Sequence, residues 1–268
     1  MNSRGADVFE VPLARNGEKW FIEPESLRPF FSHTHVIVYV NMPHNPTGSA
    51  YTSEDWENLL NWAKRYSVIL VVDEAYTDIR YNDKTVSILT IPGWERKAIV
   101  LQSVSKGWNA TGLRFGWVIG HPTIIKAVRK VMDVKDSGLF GPSIAMGIEC
   151  LCHPEWAEET RKAYQKLHIE LSRALSDAGF KCAFPDAGLC QFTPAPVAID
   201  GTKFSSATEC AIYMRKKLRI SIMHYTVKDQ PFLRWAVTIK PVPKCGLETQ
   251  EKVIEEMGRR LSALKIEF

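Results

Sequence analysis

Three short apolar runs constrain the fold of this chain more than any other feature of its 268 residues. Residues 36–40 (VIVYV), 68–72 (VILVV) and 98–101 (AIVL) are rich in β-branched side chains, and each run ends abruptly in polar residues. Continuous runs of this length are typical of strands that are buried on both faces of a parallel sheet. With a helical segment between the first two, they predict an α/β fold whose sheet is mostly parallel.

The segment between the first two runs has the pattern of a helix. Thr52 and Ser53 come before two acidic residues and would cap its N-terminus, where negative charge is favourable. The apolar residues that follow recur at helical spacing: Trp56, Leu59, Leu60 and Ala63. A strand, a helix and a second strand in this order are the repeating unit of a parallel sheet.

The second half of the chain has a different character. Long helical patterns cover residues 124–134, 142–152 and 155–177, strand-like runs occur within 179–193 and 219–238, and residues 247–264 form a final amphipathic pattern. The inner stripe of the third helix is predicted to consist of Leu167, Ile169, Leu171 and Leu175. We therefore expect a large domain over residues 1–150 and a smaller α+β domain over residues 151–268.

Composition excludes several classes of protein. The formal charge is +4, from 34 basic and 30 acidic residues, and no long basic block is present, so charge does not favour a nucleic-acid partner. No apolar run has the length of a membrane span, and the first residues lack the apolar core of a signal peptide. The six cysteines show no CxxC pair. We expect a cytoplasmic protein with free thiols, no metal, and neither a membrane nor a nucleic-acid partner.

Polar residues follow all three predicted strands. Asn45 comes after the first, Asp73 and Tyr76 after the second, and residues 103–106 (SVSK) after the third. Ligands of parallel sheets bind beyond the carboxyl ends of the strands, so we expect these side chains to line one site. Each motif alone has an ordinary structural interpretation, as a turn or a helix cap, but the three together indicate a functional site.

Lys106 is the candidate reactive group of that site. Two hydroxyls, Ser103 and Ser105, come before it, and a guanidinium, Arg114, follows it. An amine that directly follows a buried strand is a candidate Schiff-base nucleophile. Hydroxyls and a guanidinium are groups that bind a phosphate, so the pattern suggests a phosphorylated ligand beside the amine.

Taken together, these motifs closely resemble the class I/II aminotransferases, which are pyridoxal-phosphate enzymes of the aspartate-aminotransferase fold. The resemblance rests on residues 45–48 (NPTG), 73–76 (DEAY), 103–106 (SVSK) and 112–116 (GLRFG), and it extends over nearly the whole chain. Residues 106–117 and 136–140 look most like the LL-diaminopimelate aminotransferase branch. The resemblance implies transfer of an amino group from an amino acid to a 2-oxo acid, with pyridoxal 5′-phosphate as cofactor, in a homodimer.

The resemblance also implies a role for each site residue. Lys106 would form the Schiff base with the cofactor and then act as the base. Asp73 would lie beside the pyridine nitrogen and keep the ring protonated. The remaining residues would bind the 3-oxygen of the ring (Asn45 and Tyr76), the phosphate (Ser103, Ser105 and Arg114) and the α-carboxylate of the substrate (Arg234, in the sequence FLRWAV).

One departure from the family pattern leaves alternatives open. Family members have a substantial segment before the strand that corresponds to residues 36–40, and these 268 residues contain no counterpart of it. Residues 5–13 instead resemble a later strand of the family. We therefore expect an N-terminally incomplete aminotransferase. The alternatives are a catalytically impaired remnant that binds the cofactor or a partner protein, and a pyridoxal-phosphate-dependent lyase on the same fold.

Overall fold

The computed structural model describes residues 7–31, 36–135 and 138–268. In these residues the strands are, in chain order, β1 (Ala14–Asn16), β2 (Lys19–Phe21), β3 (Ile37–Asn41), β4 (Ile69–Asp73), β5 (Ala98–Ser103), β6 (Gly116–Ile119), β7 (Cys190–Pro194), β8 (Ala198–Ile199), β9 (Thr202–Lys203), β10 (Met223–Val227), β11 (Gln230–Ala236) and β12 (Ile266–Glu267). The α-helices are α1 (Ser53–Arg65), α2 (Val104–Gly107), α3 (Pro122–Lys135), α4 (Gly141–Cys152), α5 (Pro154–Asp177), α6 (Ala207–Tyr213) and α7 (Gln250–Ser262). None of the helices described here is both long and apolar enough to cross a membrane.

The central sheet has the strand order β3-β4-β5-β6. The first three strands are parallel, which confirms the predicted sheet, and their bounds differ from the predicted runs by only one or two residues. The fourth strand, β6, was not predicted and runs antiparallel to β5, with Ser103 opposite Gly116. It is antiparallel because the chain turns back directly after α2 instead of crossing over through a long helix.

One face of the central sheet packs against α1. The buried side chains of this core come from the helix and from alternate positions of the strands: Val40, Trp56, Leu59, Leu60, Ala63, Leu70, Val72, Ala98 and Val100. The helix begins where the sequence predicts, because the Thr52 hydroxyl accepts the Asp55 N–H while the Asp55 carboxylate accepts the Thr52 N–H. On the opposite face of edge strand β3, Ile37 and Tyr39 are exposed by 67% and 53%.

A second core lies between α5, α7 and the antiparallel sheet β10-β11-β7. Its fully buried members include Leu171, Leu175, Leu233, Ile254 and Leu261. The predicted inner stripe of α5 is correct for Leu167, Leu171 and Leu175 but wrong for Ile169, which is 55% exposed. Residues two apart on a helix are rotated by about 200°, so Ile169 faces away from the other three.

The strand expected over residues 5–13 is absent from the described part of that segment, 7–13. The first strand, β1, starts at Ala14 and forms a hairpin with β2. Pro12 has no N–H group to donate to a strand ladder, which disfavours pairing there. The motif over residues 136–140 lies partly outside the described residues, since 136 and 137 are not among them.

Candidate functional site

The carboxyl ends of β3, β4 and β5 meet at one edge of the central sheet. Asn41, the last residue of β3, lies beside Asp73, the last residue of β4. The turns that follow the three strands carry Asn45, Tyr76 and Lys106. Parallel register therefore brings together side chains that are far apart in the sequence, as the strand-end pattern predicts.

Lys106 lies in α2, a single helical turn that follows β5 directly. The turn begins at Ser103, whose hydroxyl accepts the Ser105 N–H at 3.1 Å. Lys106 Nζ lies 5.9 Å from the ring centroid of Tyr76. Within the described parts of the chain, no carboxylate lies within ion-pair distance of this amine. The amine is therefore held near an aromatic ring without a counter-charge.

Asn45 connects two other predicted residues. Its amide Nδ2 donates to the Tyr76 hydroxyl at 3.2 Å, and its Oδ1 accepts from Arg234 Nη1 at 3.3 Å. Arg234 is on β11, and the same Nη1 lies 3.5 Å from the Tyr225 hydroxyl. The Nε atom of Arg234 is buried and has no hydrogen-bond partner among the described residues. A buried donor without a partner is costly, so this arginine is suited to a ligand that accepts hydrogen bonds.

Burial and nearby charges act on the Tyr76 phenol. Burial raises its pKa, the neighbouring Cys190 raises it further, and the Arg234 guanidinium and the Asn45 amide oppose these effects. Cys190 itself is buried, which raises the pKa of its thiol, while Arg234 and Lys106 act in the opposite direction. The first residue of β7 thus lies close to the lysine, the tyrosine and the arginine.

Asp73 is held by two donors. Its Oδ1 accepts the Ala75 N–H at 3.1 Å, and its Oδ2 accepts the Tyr39 hydroxyl at 2.6 Å. Burial, with the hydrogen bond to Asp73 and its charge, raises the pKa of Tyr39 well above the usual value of a phenol, so Tyr39 is the donor of this bond. No lysine or arginine of the described residues forms an ion pair with Asp73.

The three residues predicted to bind phosphate are only partly brought together. The hydroxyl oxygens of Ser103 and Ser105 are 2.8 Å apart, and Ser103 also donates to the Phe115 carbonyl at 2.8 Å. Arg114 is exposed, and its Nη1 donates to the Thr111 carbonyl at 3.1 Å. The Thr111 hydroxyl in turn donates to the Ser105 carbonyl at 2.9 Å. The arginine is therefore linked to the serines through the loop and not by direct contact.

The turn after β3 packs against a loop from the second half of the chain. Gly48 has φ +73°, and a Cβ placed on it would lie 2.6 Å from the Cβ of Pro185. Its carbonyl accepts the Ala187 N–H at 3.0 Å. Together the turn and the loop line a small cleft beside Tyr76, formed by His44, Asn45, Gly48, Tyr76, Ala187, Gly188, Leu189 and Cys190.

Four residues of the site were not found by sequence reasoning: Tyr39, Gly188, Cys190 and Tyr225. Gly188 has φ +89° and lies beside the Tyr76 ring, where an added Cβ would be in ordinary van der Waals contact with the ring at 3.8 Å. The sequence gives only weak signals for them. Tyr39 is one of five residues in the apolar run 36–40, and Tyr225 lies in a strand-like run without a motif around it. Their contacts with Asp73 and Arg234 depend on strand pairing that only the fold reveals.

Comparison with known proteins places the chain in a family. The family model for class I and II aminotransferases matches residues 1–241. An LL-diaminopimelate aminotransferase of Methanocaldococcus jannaschii is 30% identical over 269 residues, an alignment that covers 98% of this chain and 64% of that protein. Its counterpart in Methanococcus maripaludis is 31% identical, again with 98% of this chain and 64% of the relative covered. The chain thus spans less than two thirds of the length of these relatives.

Solved structures agree on the fold. An aminotransferase from Staphylococcus aureus superposes with a TM-score of 0.79 and 20% identity, covering 94% of this chain and 64% of that one. The N-succinyldiaminopimelate aminotransferase from Mycobacterium tuberculosis superposes with a TM-score of 0.77 and 19% identity, with the same coverage. Membership of one family therefore explains both the sheet and the motifs at the ends of its strands. The chain belongs to the class I and II aminotransferase family and has its fold.

Proposed function

We propose that this protein acts as a pyridoxal-phosphate-dependent aminotransferase that moves an amino group from an amino acid to a 2-oxo acid. The observation that carries the proposal is the position of Lys106, whose Nζ lies 5.9 Å from the Tyr76 ring at the strand edge that also holds Asp73. An amine without a counter-charge, a carboxylate and a phenol are the groups that pyridoxal phosphate needs around its aldehyde, ring nitrogen and ring oxygen.

The residues of the site fit this cofactor. After its hydrogen bonds from Ala75 and Tyr39, the Asp73 carboxylate still has free lone pairs. It can therefore accept a hydrogen bond from the protonated ring nitrogen. Tyr76 and Asn45 form a hydrogen-bonded pair that would bind the ring oxygen. The phosphate would be bound by the group of residues that follows β5: Ser103, Ser105 and Arg114. When bound, the cofactor withdraws electrons from the α-carbon of the amino acid.

Lys106 would have two tasks. Its amine would condense with the aldehyde of the cofactor, so that a C=N bond would replace the C=O bond and water would be released. Once the amino group of the substrate has displaced it, the free amine would take the proton from the substrate α-carbon and return it on the cofactor side. No carboxylate of the described residues neutralises this amine, so its reactivity is not quenched by an ion pair.

Arg234 would bind the α-carboxylate of the substrate. Its guanidinium already holds Asn45 through Nη1, while its buried Nε has no partner among the described residues. A carboxylate accepts two parallel hydrogen bonds from a guanidinium, which would satisfy the buried donor. The cofactor residues would then come from the proposed domain of residues 1–150 and the substrate arginine from residues 151–268.

The substrate class and the assembly are parts of the same proposal. The relatives named above are called LL-diaminopimelate aminotransferases, which supports an amino acid and a 2-oxo acid as the substrates of this chain. We propose a homodimer, as the family resemblance implies. Sedimentation or light scattering of the purified protein tests this assembly directly.

Covalent cofactor binding tests the proposed function. The wild-type protein is incubated with pyridoxal phosphate, reduced with borohydride and digested, and the modified residue is located by mass spectrometry. We expect the label on Lys106, its loss in Lys106→Ala, and its retention in the control Lys84→Ala, which replaces an exposed lysine. Equal labelling of the Lys106→Ala protein would overturn the proposal. Adding an amino acid and a 2-oxo acid then tests turnover.

A further inference from the structure

Tyr39 makes a contact that the proposed function does not use. It lies on edge strand β3, two residues before Asn41, on the same face of the sheet. Because Asn41 is paired with Asp73 in the parallel register, the Tyr39 side chain reaches the carboxylate diagonally. Its hydroxyl donates to Asp73 Oδ2 at 2.6 Å.

The side chain of Tyr39 is only partly buried. It is 53% exposed and belongs to neither buried core of the described residues. Among the described residues, its side-chain hydrogen bond is to the carboxylate of Asp73, the last residue of β4. A short bond from a neutral hydroxyl to a carboxylate is stronger than an ordinary hydrogen bond, so it holds the carboxyl group in one orientation.

The two donors on Asp73 leave room for a third. A carboxylate has about four lone-pair directions, and the bonds from Ala75 and Tyr39 use one on each oxygen. The orientation of the carboxyl plane is thereby fixed, while acceptor capacity remains for a ring N–H group. A residue that fixes an acceptor in advance lowers the entropic cost of binding the donor.

We propose that Tyr39 is a positioning residue that orients Asp73 for the ring nitrogen of the cofactor. This inference rests on the proposed function. The inference adds to the proposed function an effect of Tyr39, on edge strand β3, on the affinity for the cofactor. The effect operates through Asp73 alone and requires a ring nitrogen in the ligand.

The first experiment measures the dissociation constant of pyridoxal phosphate by absorbance titration. Tyr39→Phe removes only the hydroxyl and is expected to weaken binding about tenfold, the effect of losing one hydrogen bond to a charged group. The control, Tyr213→Phe, removes the hydroxyl of a tyrosine of α6 that packs against Phe204, and it is expected to leave the affinity unchanged. Tighter binding by Tyr39→Phe would show that Tyr39 competes with the cofactor and would overturn the proposal.

A ligand analogue separates positioning from a general structural role. An analogue of pyridoxal phosphate with a C–H group in place of the ring nitrogen cannot donate to Asp73. Tyr39→Phe is expected to leave the affinity for this analogue unchanged. An equal loss of affinity for both ligands would mean that Tyr39 supports the site as a whole, and the proposal would be wrong.

A double-mutant cycle tests the route through Asp73. In an Asp73→Asn background, Tyr39→Phe is expected to cause no further loss of affinity for pyridoxal phosphate. An additive tenfold loss there would overturn the inference. If the wild-type protein binds the cofactor no better than Lys106→Ala does, the proposed function is wrong. The role of Tyr39, which rests on that function, is then wrong as well. Wild-type binding with an unchanged Tyr39→Phe affinity would overturn only the role of Tyr39.

Discussion

Arg234 and Asn45 are joined by a hydrogen bond of 3.3 Å although they lie 189 positions apart in the chain. Asn45 belongs to the turn after the first strand of the central sheet, and Arg234 to a strand of the antiparallel sheet in the second half. Asn45 also donates to Tyr76, so one amide connects the proposed substrate residue to the proposed cofactor residues. Asn45 is therefore in hydrogen-bond contact with both sets of residues.

Replacing Arg234 with lysine is expected to separate substrate binding from cofactor binding. Lysine keeps the charge but cannot donate two parallel hydrogen bonds to a carboxylate. We expect the KM for the amino acid to rise about a hundredfold, the equivalent of roughly 3 kcal/mol, with a much smaller effect on the affinity for pyridoxal phosphate. Steady-state kinetics and absorbance titration measure the two quantities. Arg173→Lys, which changes an exposed arginine of α5, is the control.

If the lysine variant lost cofactor affinity and substrate affinity to the same extent, the arginine would act by supporting Asn45 and not by binding the substrate carboxylate.

Gly48→Ala is expected to destabilise the fold more than the same change at Gly93. Both glycines have positive φ angles, +73° and +77°, so both substitutions carry a conformational cost of about 1–2 kcal/mol. At Gly48 the new methyl group would also collide with Pro185, 2.6 Å away, whereas nothing lies within 4 Å at Gly93. Overpacking adds about 1–3 kcal/mol. Urea unfolding of both variants measures the difference, and equal losses would contradict the close approach.

Much of the site follows from the sequence because parallel strands end together. The apolar runs identify β3, β4 and β5, and the polar residues that follow each run therefore lie at the same edge, where the structure has Asn45, Asp73 and Lys106. This inference needs only the direction of the strands and not the positions of individual side chains. The residue types then suggest the chemistry, since amine, carboxylate and amide differ in what they bind.

The remaining features depend on contacts that no local pattern encodes. Tyr39 reaches Asp73 only because of the strand register, and Cys190 enters the site only because the loop before β7 packs against Gly48. The prediction for Ile169 is wrong for a simpler reason: two positions along a helix rotate a side chain by about 200°, which turns Ile169 toward solvent.

A side-chain hydrogen bond connects the turn after Lys106 to α5, and a substitution of either partner removes it. The Tyr164 hydroxyl donates to Asn109 Oδ1 at 2.6 Å, and Asn109 has φ +54°. Tyr164→Phe and Asn109→Gly each remove this bond, and glycine also accepts the positive φ without strain. We expect each variant to lose about 1 kcal/mol of stability and to capture pyridoxal phosphate on Lys106 more slowly.

A double variant checks that the two residues act together. If the Tyr164–Asn109 bond is the common cause, Tyr164→Phe and Asn109→Gly combined will slow capture no more than either change alone. The rate is followed by the absorbance change after mixing. Additive effects on the rate would mean that the two residues influence the lysine turn independently.

His168 is expected to make the stability of the protein depend on pH. It is fully buried, and its Nε2 lies 3.1 Å from the carbonyl oxygen of Gly188, beside the Tyr76 ring. Burial lowers the pKa of His168 to about 4, and the hydrogen bond to the Gly188 carbonyl opposes that effect only partly. The unfolded chain, with a histidine pKa of about 6.5, therefore takes up the proton first as the pH falls.

The sign of the effect follows from this difference. The stabilising contribution of neutral His168 is complete above about pH 6.5 and is lost progressively as the pH falls to about 4, with a total of roughly 3 kcal/mol. Burial also lowers the pKa of His44 to about 4, so this residue adds a loss of the same sign over the same range. Only a comparison of single variants separates the two contributions.

His168→Gln keeps a donor for the Gly188 carbonyl but cannot be protonated in this range. We expect its free energy of unfolding to fall less steeply between about pH 6.5 and pH 4 than that of the wild type, by up to about 1.4 kcal/mol per pH unit. Urea unfolding at a series of pH values gives both slopes, and His224→Gln, at an exposed position, controls for the substitution itself. Because only the slope is compared, a loss of stability in His168→Gln at neutral pH does not affect the test. Equal slopes in His168→Gln and wild type would show that His168 is protonated equally in the folded and unfolded chains.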